Sequence, residues 1–270
     1  MKVYPNGLET LGGDELLSQA PLWVGGAVWW VNSVTGSDAA SPAGQDRERP
    51  LATLAQAITN SAAGDIVVLQ SGHTETLTGA QGILGRTVVG VGTTSGKPAA
   101  QLLINAAAAS CLNLDAAGSH LRNIYFPAAV QSDTGNGKVR IASVANCSVV
   151  GCYFESSGLD QMAAIQIDVS STGARVQNCT FVSTATAIAT RPTRGLYTGG
   201  AVTDLFVTGN VFDDGTVGYS TAALDFSAAA NTRLVAYGNS LLRGADAKFH
   251  ASQTGIFGVG TLTGGSGVSW

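Results

Sequence analysis

One six-residue phrase, returning five times between residues 111 and 242, constrains the fold more than any other feature of the chain. It reads Leu-Arg-Asn-Ile-Tyr-Phe at 121–126, Val-Val-Gly-Cys-Tyr-Phe at 149–154 and Val-Gln-Asn-Cys-Thr-Phe at 176–181. It continues as Val-Thr-Gly-Asn-Val-Phe at 207–212 and Ala-Tyr-Gly-Asn-Ser-Leu at 236–241. The closing residues Phe126, Phe154, Phe181, Phe212 and Leu241 are 28, 27, 31 and 29 residues apart. A period of that size, held over five copies, is the signature of a solenoid.

Within the phrase the apolar positions alternate: Ile124 and Phe126, Cys152 and Phe154, Cys179 and Phe181. Alternation with period two places those side chains on one face of a strand. A second alternating run precedes the phrase at Leu112/Leu114, Val139/Ile141, Ile165/Ile167/Val169 and Leu224/Phe226. Gly, Ser, Asn and Ala fill the intervals, as turns require. Each repeat is thus two or three short strands, and successive repeats stack their strands in parallel at ~4.8 Å. The fold expected is all-β: a right-handed parallel β-helix. The competing fold, a β-sandwich, does not need one phrase at one interval. The fourth position of the phrase reads Ile124, Cys152, Cys179, Asn210 and Asn239, a column pointing into the coil. The two Asn residues are expected to form an amide ladder and the two Cys residues to act as small apolar fillers.

The flanking segments fit such a coil. Residues 1–28 show no steady period and read as an extended N-terminal arm carrying Tyr4 and Trp23. Trp29 and Trp30 open the first strand. Large aromatics either seal a first rung or anchor an interface, so Tyr4, Trp23, Trp29 and Trp30 are the candidate contacts to a capsid or another subunit. Leu51, Leu54, Ala55 and Ile58 follow Pro50 at helical spacing, predicting a capping helix over 51–60. Such a helix covers the open end of a coil and blocks edge-to-edge pairing. The coil proper is expected over 29–250, with residues 184–203 lengthening one turn around Arg191, Pro192, Arg194 and Tyr197. Residues 251–270 read as a Gly-rich tail.

Charged residues make up only 12% of the chain and Gly 35 of its 270 residues, against usual shares of ~25% and ~7%. Tight turns explain the Gly. The scarcity of charge suits a surface partly covered by partners. A net charge of −4 gives no reason to expect nucleic acid. The apolar part of residues 16–37 is too short to span a bilayer, and the first residues lack the basic-then-apolar plan of a signal peptide. Cys111, Cys147, Cys152 and Cys179 show neither zinc-ligand spacing nor a disulfide framework, which fits assembly in a reducing cytoplasm.

Residues 29–38 (Trp-Trp-Val-Asn-Ser-Val-Thr-Gly-Ser-Asp), 49–58 (Arg-Pro-Leu-Ala-Thr-Leu-Ala-Gln-Ala-Ile) and 63–69 (Ala-Gly-Asp-Ile-Val-Val-Leu) form an ordered series. The series runs on through Ser-Gly-His-Thr-Glu-Thr-Leu-Thr at 71–78 and Thr-Val-Val-Gly-Val-Gly at 87–92. It resembles the opening of pectate-lyase-like β-helix proteins, most of all the small β-helix virion proteins of tailed bacteriophages. The similarity covers roughly residues 29–245. It implies a capsid decoration (cement) protein on the outer surface of the head, a homotrimer bound to the major capsid protein and assembled in the host cytoplasm. The alternative it leaves is a tail spike or fibre that binds or degrades host polysaccharide. A short chain that enters its coil almost at once, with no tail-adaptor domain, favours decoration.

The fold alone does not decide activity. Lyases of this fold pair an Arg or Lys base with acidic calcium ligands, and its hydrolases set Asp residues on adjacent rungs. Asp213-Asp214 is the one Asp-Asp doublet; Asp168, Asp204 and Asp225 stand singly. Asp38 and Asp46 lack the spacing of a calcium loop. His73 is a lone turn histidine and reads as structural. No catalytic residue, cofactor or metal is therefore assigned, and no membrane or nucleic-acid partner.

Overall fold

The computed structural model describes residues 26–39, 44–105, 111–128, 137–157, 163–187, 192–243, 247–249 and 255–259. The expected arm with Tyr4 and Trp23, Arg191, and most of the 251–270 tail lie outside these residues.

Three parallel walls form a β-solenoid. The first wall stacks Val28–Val31, Ile66–Leu69, Thr87–Gly90, His120–Arg122, Ser148–Val150, Arg175–Gln177, Phe206–Thr208 and the start of Leu234–Leu242. The second stacks Thr74–Leu77, Gln101–Ile104, Tyr125–Phe126, Tyr153–Ser156, Thr180–Ser183, Val211–Asp213 and the end of Leu234–Leu242. The third runs from Ala80–Gly82 through Cys111–Leu114, Val139–Ile141, Ile165–Ile167, Arg194–Thr198 and Ala222–Phe226 to Ala247–Phe249. Gly255–Val259 adds one more strand to the first wall, beyond the expected limit of the coil at 250.

Register turns the sequence period into columns. In the first wall Val67, Val88, Leu121, Val149, Val176 and Val207 lie one above another, fully buried. In the third wall Leu112, Val139, Ile165, Leu196 and Leu224 do the same. The second wall holds the aromatic column. Phe126, Phe154, Phe181 and Phe212 stack face to face at centroid spacings of 4.8, 5.1 and 4.5 Å, within 8° of parallel. Strand stacking imposes this geometry, since in-register neighbours sit one strand spacing apart. Burying each ring contributes ~1.5–3 kcal/mol.

The fourth-position column points inward as the alternation requires: Ile124, Cys152, Cys179, Asn210 and Asn239 are all buried. Its two amides form a ladder. Asn239 Oδ1 accepts from the Asn210 backbone N–H at 3.0 Å and from Asn210 Nδ2 at 2.9 Å. Asn210 Oδ1 accepts from Cys179 N–H at 2.9 Å. Asn210 Nδ2 also donates to the Val176 carbonyl, and Asn239 Nδ2 donates to the Val207 carbonyl. Every polar atom of the pair is thus spent, which removes the penalty for burying it.

Two corners are set by left-handed backbone. Asn123, Gly151, Asn178, Gly209 and Gly238, the third residue of each phrase, have φ of 50–66°. Each lies two residues ahead of a second-wall strand. Gly118, Asn146, Gly173, Asp204 and Arg233 play the same part before the first wall, with φ of 54–74°. Asn and Asp tolerate this region better than other residues with a Cβ.

Two expectations change. The helix spans Leu54–Asn60 rather than 51–60. Leu51 is instead an extended residue bridged to Val31, its N–H bonded to the Trp30 carbonyl and its own carbonyl to Asn32 N–H. Pairing with the edge of the first wall satisfies Leu51 before a helix can begin. Thr53 then caps it, accepting from Gln56 N–H. Leu54, Ala57 and Ile58 are the helix's buried residues and belong to the main core. Residues 184–203 are likewise not all turn, because Arg194–Thr198 is a third-wall strand. Its second inward position holds Thr198 rather than an aliphatic residue, which hid the alternation.

Candidate functional site

Of the four aromatics singled out as contacts, Trp29 and Trp30 lie on the described first rung. Trp29 packs against the main core, and its Nε1 donates to Asp65 Oδ2 at 3.1 Å. Trp30 points the other way. It joins Ile66, Val68 and Val89 in a second apolar cluster on the outer side of the first wall, with Val28 and Val91 packed against it. The Arg47 guanidinium lies 5.9 Å from its ring centroid. The first rung therefore divides the pair: one ring packs on the coil's core, and the other belongs to a small buried cluster on the outer side of the first wall.

Polar side chains near this rung tie the cap down. Asp65 accepts from the N–H groups of Ala27 and Ala62 as well as from Trp29. Burial alone would raise its pKa, but these donors outweigh it and hold the carboxyl below its ordinary value. Arg86 donates to the hydroxyl and the carbonyl of Ser61, the residue that ends the helix. Asp38 accepts from Ala52 N–H and the Thr53 hydroxyl at the other end. His73 is fully buried, with Nδ1 accepting from Ser33 N–H at 3.1 Å and Nε2 3.2 Å from Glu75 Oε2. That same oxygen accepts from Leu54 N–H at 2.8 Å. His73 thus lies between the turn at Ser33 and the start of the helix. Its partner Glu75, two residues on, was the signal the sequence reading missed.

The three single acids and Asp213 of the doublet each meet a guanidinium one rung away. Arg140 pairs with Asp168 at 2.6 Å, Arg194 with Asp225 at 2.6 Å, Arg233 with Asp204 at 2.5 Å and Arg243 with Asp213 at 3.0 Å. The first three pairs are 28, 31 and 29 residues apart in sequence, the repeat period itself. Opposite charges one period apart were a readable signal. Asp225 also accepts from Ser227. Burial raises its pKa, but Ser227 and Arg194 outweigh burial and keep it below the ordinary carboxylate value. A carboxylate held ionised in this way is a poor general acid.

On the outer face of the second wall, Lys97 contacts Glu155 and lies 4.9 and 5.0 Å from the rings of Tyr125 and Tyr153. Tyr125 donates to Glu155 Oε2 at 2.6 Å. Burial and this carboxylate push the Tyr125 phenol up to about 12. The cage of two rings and a carboxylate suits an ammonium group, and Lys97 already occupies it.

All four thiols are buried and unbridged. Burial pushes Cys111 up to about 11 and Cys152 well above its ordinary value, so neither is an activated nucleophile. Among the described residues no three His, Cys, Asp or Glu side chains come together as a metal-ion site, and no helix is long and apolar enough to cross a membrane. The chain matches no protein-family model, no curated protein and no solved structure. Its grouping rests on architecture alone: an all-β parallel β-solenoid with a helical cap near its N-terminal end.

Proposed function

We propose that the chain is a non-enzymatic structural protein of a tailed-bacteriophage particle, a decoration protein on the outer surface of the head, bound to the major capsid protein. One observation carries the non-enzymatic part: the outer-wall acids Asp168, Asp204, Asp213 and Asp225 are each engaged by an Arg of the neighbouring rung. The charges that a lyase or hydrolase would turn toward substrate are here used to stitch one rung to the next. The phage assignment rests on the resemblance of residues 29–92 to β-helix virion proteins. A stitched coil suits a rigid bridge between capsomers, and the low charge of the chain suits contacts between subunits, in a homotrimer.

Locating the protein on the particle by electron microscopy tests the proposal. Density repeating on the head lattice is the expected result. Density at the tail tip would overturn it in favour of a spike or fibre.

A further inference from the structure

We infer that His73 makes the N-terminal cap proton-sensitive: adding a proton to its ring opens the turn 33–35 and loosens the capping helix while the rest of the coil stays closed. The inference starts from a constraint on the ring. A backbone N–H can only donate, so Ser33 N–H at 3.1 Å requires a lone pair on Nδ1. Neutral His73 must therefore carry its proton on Nε2, which lies 3.2 Å from Glu75 Oε2 but is not aligned to hydrogen-bond it. The imidazolium form carries hydrogens on both nitrogens. Its Nδ1–H would then confront Ser33 N–H, donor against donor, at a ring that has no exposure to solvent.

The two sides of the ring respond differently. Glu75 attracts the imidazolium and keeps the ring in place, so Ser33 has to give way. Turn 33–35 depends on this contact. Ser33 Oγ accepts from Thr74 N–H at 3.0 Å, and Asn32 Oδ1 accepts from Val34 and Thr35 N–H. The helix depends on the other side, since Glu75 Oε2 is the acceptor for Leu54 N–H. A charged ring competes for that oxygen. Among the described contacts of the ring, Glu75 is the charged one. Asn32 and Ser33 bring neutral groups, Gln70 accepts the His73 N–H through its carbonyl, and Asp38 reaches the same helix end only through Ala52 and Thr53. The Ile66–Leu69 strand does not route its ladder bonds through His73, and the bond from Gln101 N–H to the His73 carbonyl is made by the backbone rather than by the ring, so opening stays local.

Hydrogen exchange of the full chain, corrected for intrinsic rates and followed from about pH 7.5 to 5.0, where histidine changes charge, tests this. Amides of 33–35 and 54–60 should lose protection on acidification, by up to about ten-fold per pH unit for one coupled proton. Amides of 139–181 should not. His73→Gln keeps an acceptor for Ser33 and a donor for Glu75 but takes up no proton, so its cap should show no such loss. Equal behaviour of cap and coil in the wild type, or the same acid loss in the variant, would overturn the inference. Should His73→Gln fail to fold, nitrogen NMR of the wild-type ring decides. Protonation of Nδ1 in step with a shift of the Ser33 amide supports the latch; a Ser33 amide that does not move while Nδ1 protonates refutes it.

Discussion

Single side chains in this coil act as members of columns, so the effect of replacing one depends on its neighbours above and below. Phe181 stacks on Phe154 and on Phe212. Phe181→Ala should therefore leave a cavity open to two rungs and destabilise by ~3–5 kcal/mol, read by urea unfolding. Asn239→Ala removes the acceptor of two Asn210 donors and the donor to Val207. Each orphaned buried group costs ~1–3 kcal/mol, so this exchange should rival the loss of a ring. Titration adds a third prediction. Burial raises the Glu155 carboxyl, but Lys97 and Tyr125 outweigh it and leave the pKa lowered; Asp225 is lowered as well. A depressed folded pKa means stability present above the unfolded value and lost as pH falls through the folded one. Melting points should hold down to about pH 4 and drop below it. Raised Tyr125 works in the opposite range. Its contribution is present below the unfolded phenol value near ~10 and is lost as pH rises toward about 12.

At the scale of elements, the corners and the cap set the shape of the coil. Asn178 holds φ at 53° between Arg175–Gln177 and Thr180–Ser183. Asn178→Ala should cost ~1–2 kcal/mol from the left-handed backbone alone, whereas Asn178→Gly should be close to neutral. Equal losses in both would show that the Asn side chain, not the backbone, matters at this corner. In the cap, Thr53→Ala removes the acceptor for Gln56 N–H and the hydroxyl bonded to Asp38. A loss of ~1 kcal/mol in cap stability is expected, visible as faster exchange over residues 54–60.

The whole molecule is a one-dimensional stack in which a rung touches only its neighbours, and its outer face is where function must lie. Two outcomes follow from the proposed role. We propose further that the N-terminal arm makes the attachment, so deleting residues 1–22 should leave a folded coil that no longer binds undecorated heads; undiminished decoration would overturn that role of the arm. Host capsule or lipopolysaccharide incubated with the protein should release neither new reducing ends nor unsaturated products at enzyme-like rates. Release of either would overturn the non-enzymatic reading.

The architecture was legible because a solenoid repeats its packing problem. The alternation ending in Phe126, Phe154, Phe181 and Phe212, and the inward Asn210 and Asn239, could be read directly, since the same residue meets the same neighbour at every turn. The positive-φ column of Asn and Gly at the third phrase position was equally present in the sequence, as were Arg and Asp one period apart. Non-periodic contacts were not readable. Leu51 belongs to a strand edge rather than to the helix because Trp30 and Asn32 stand ready to bond it. His73 gained its partners only when the chain brought Ser33 and the start of the helix together around Glu75. The division between Trp29 and Trp30 likewise depends on which face of the first rung looks into the coil. Periodic sequence determines the repeat; the unique segment that closes its end is decided by tertiary contacts, because each of those is made once.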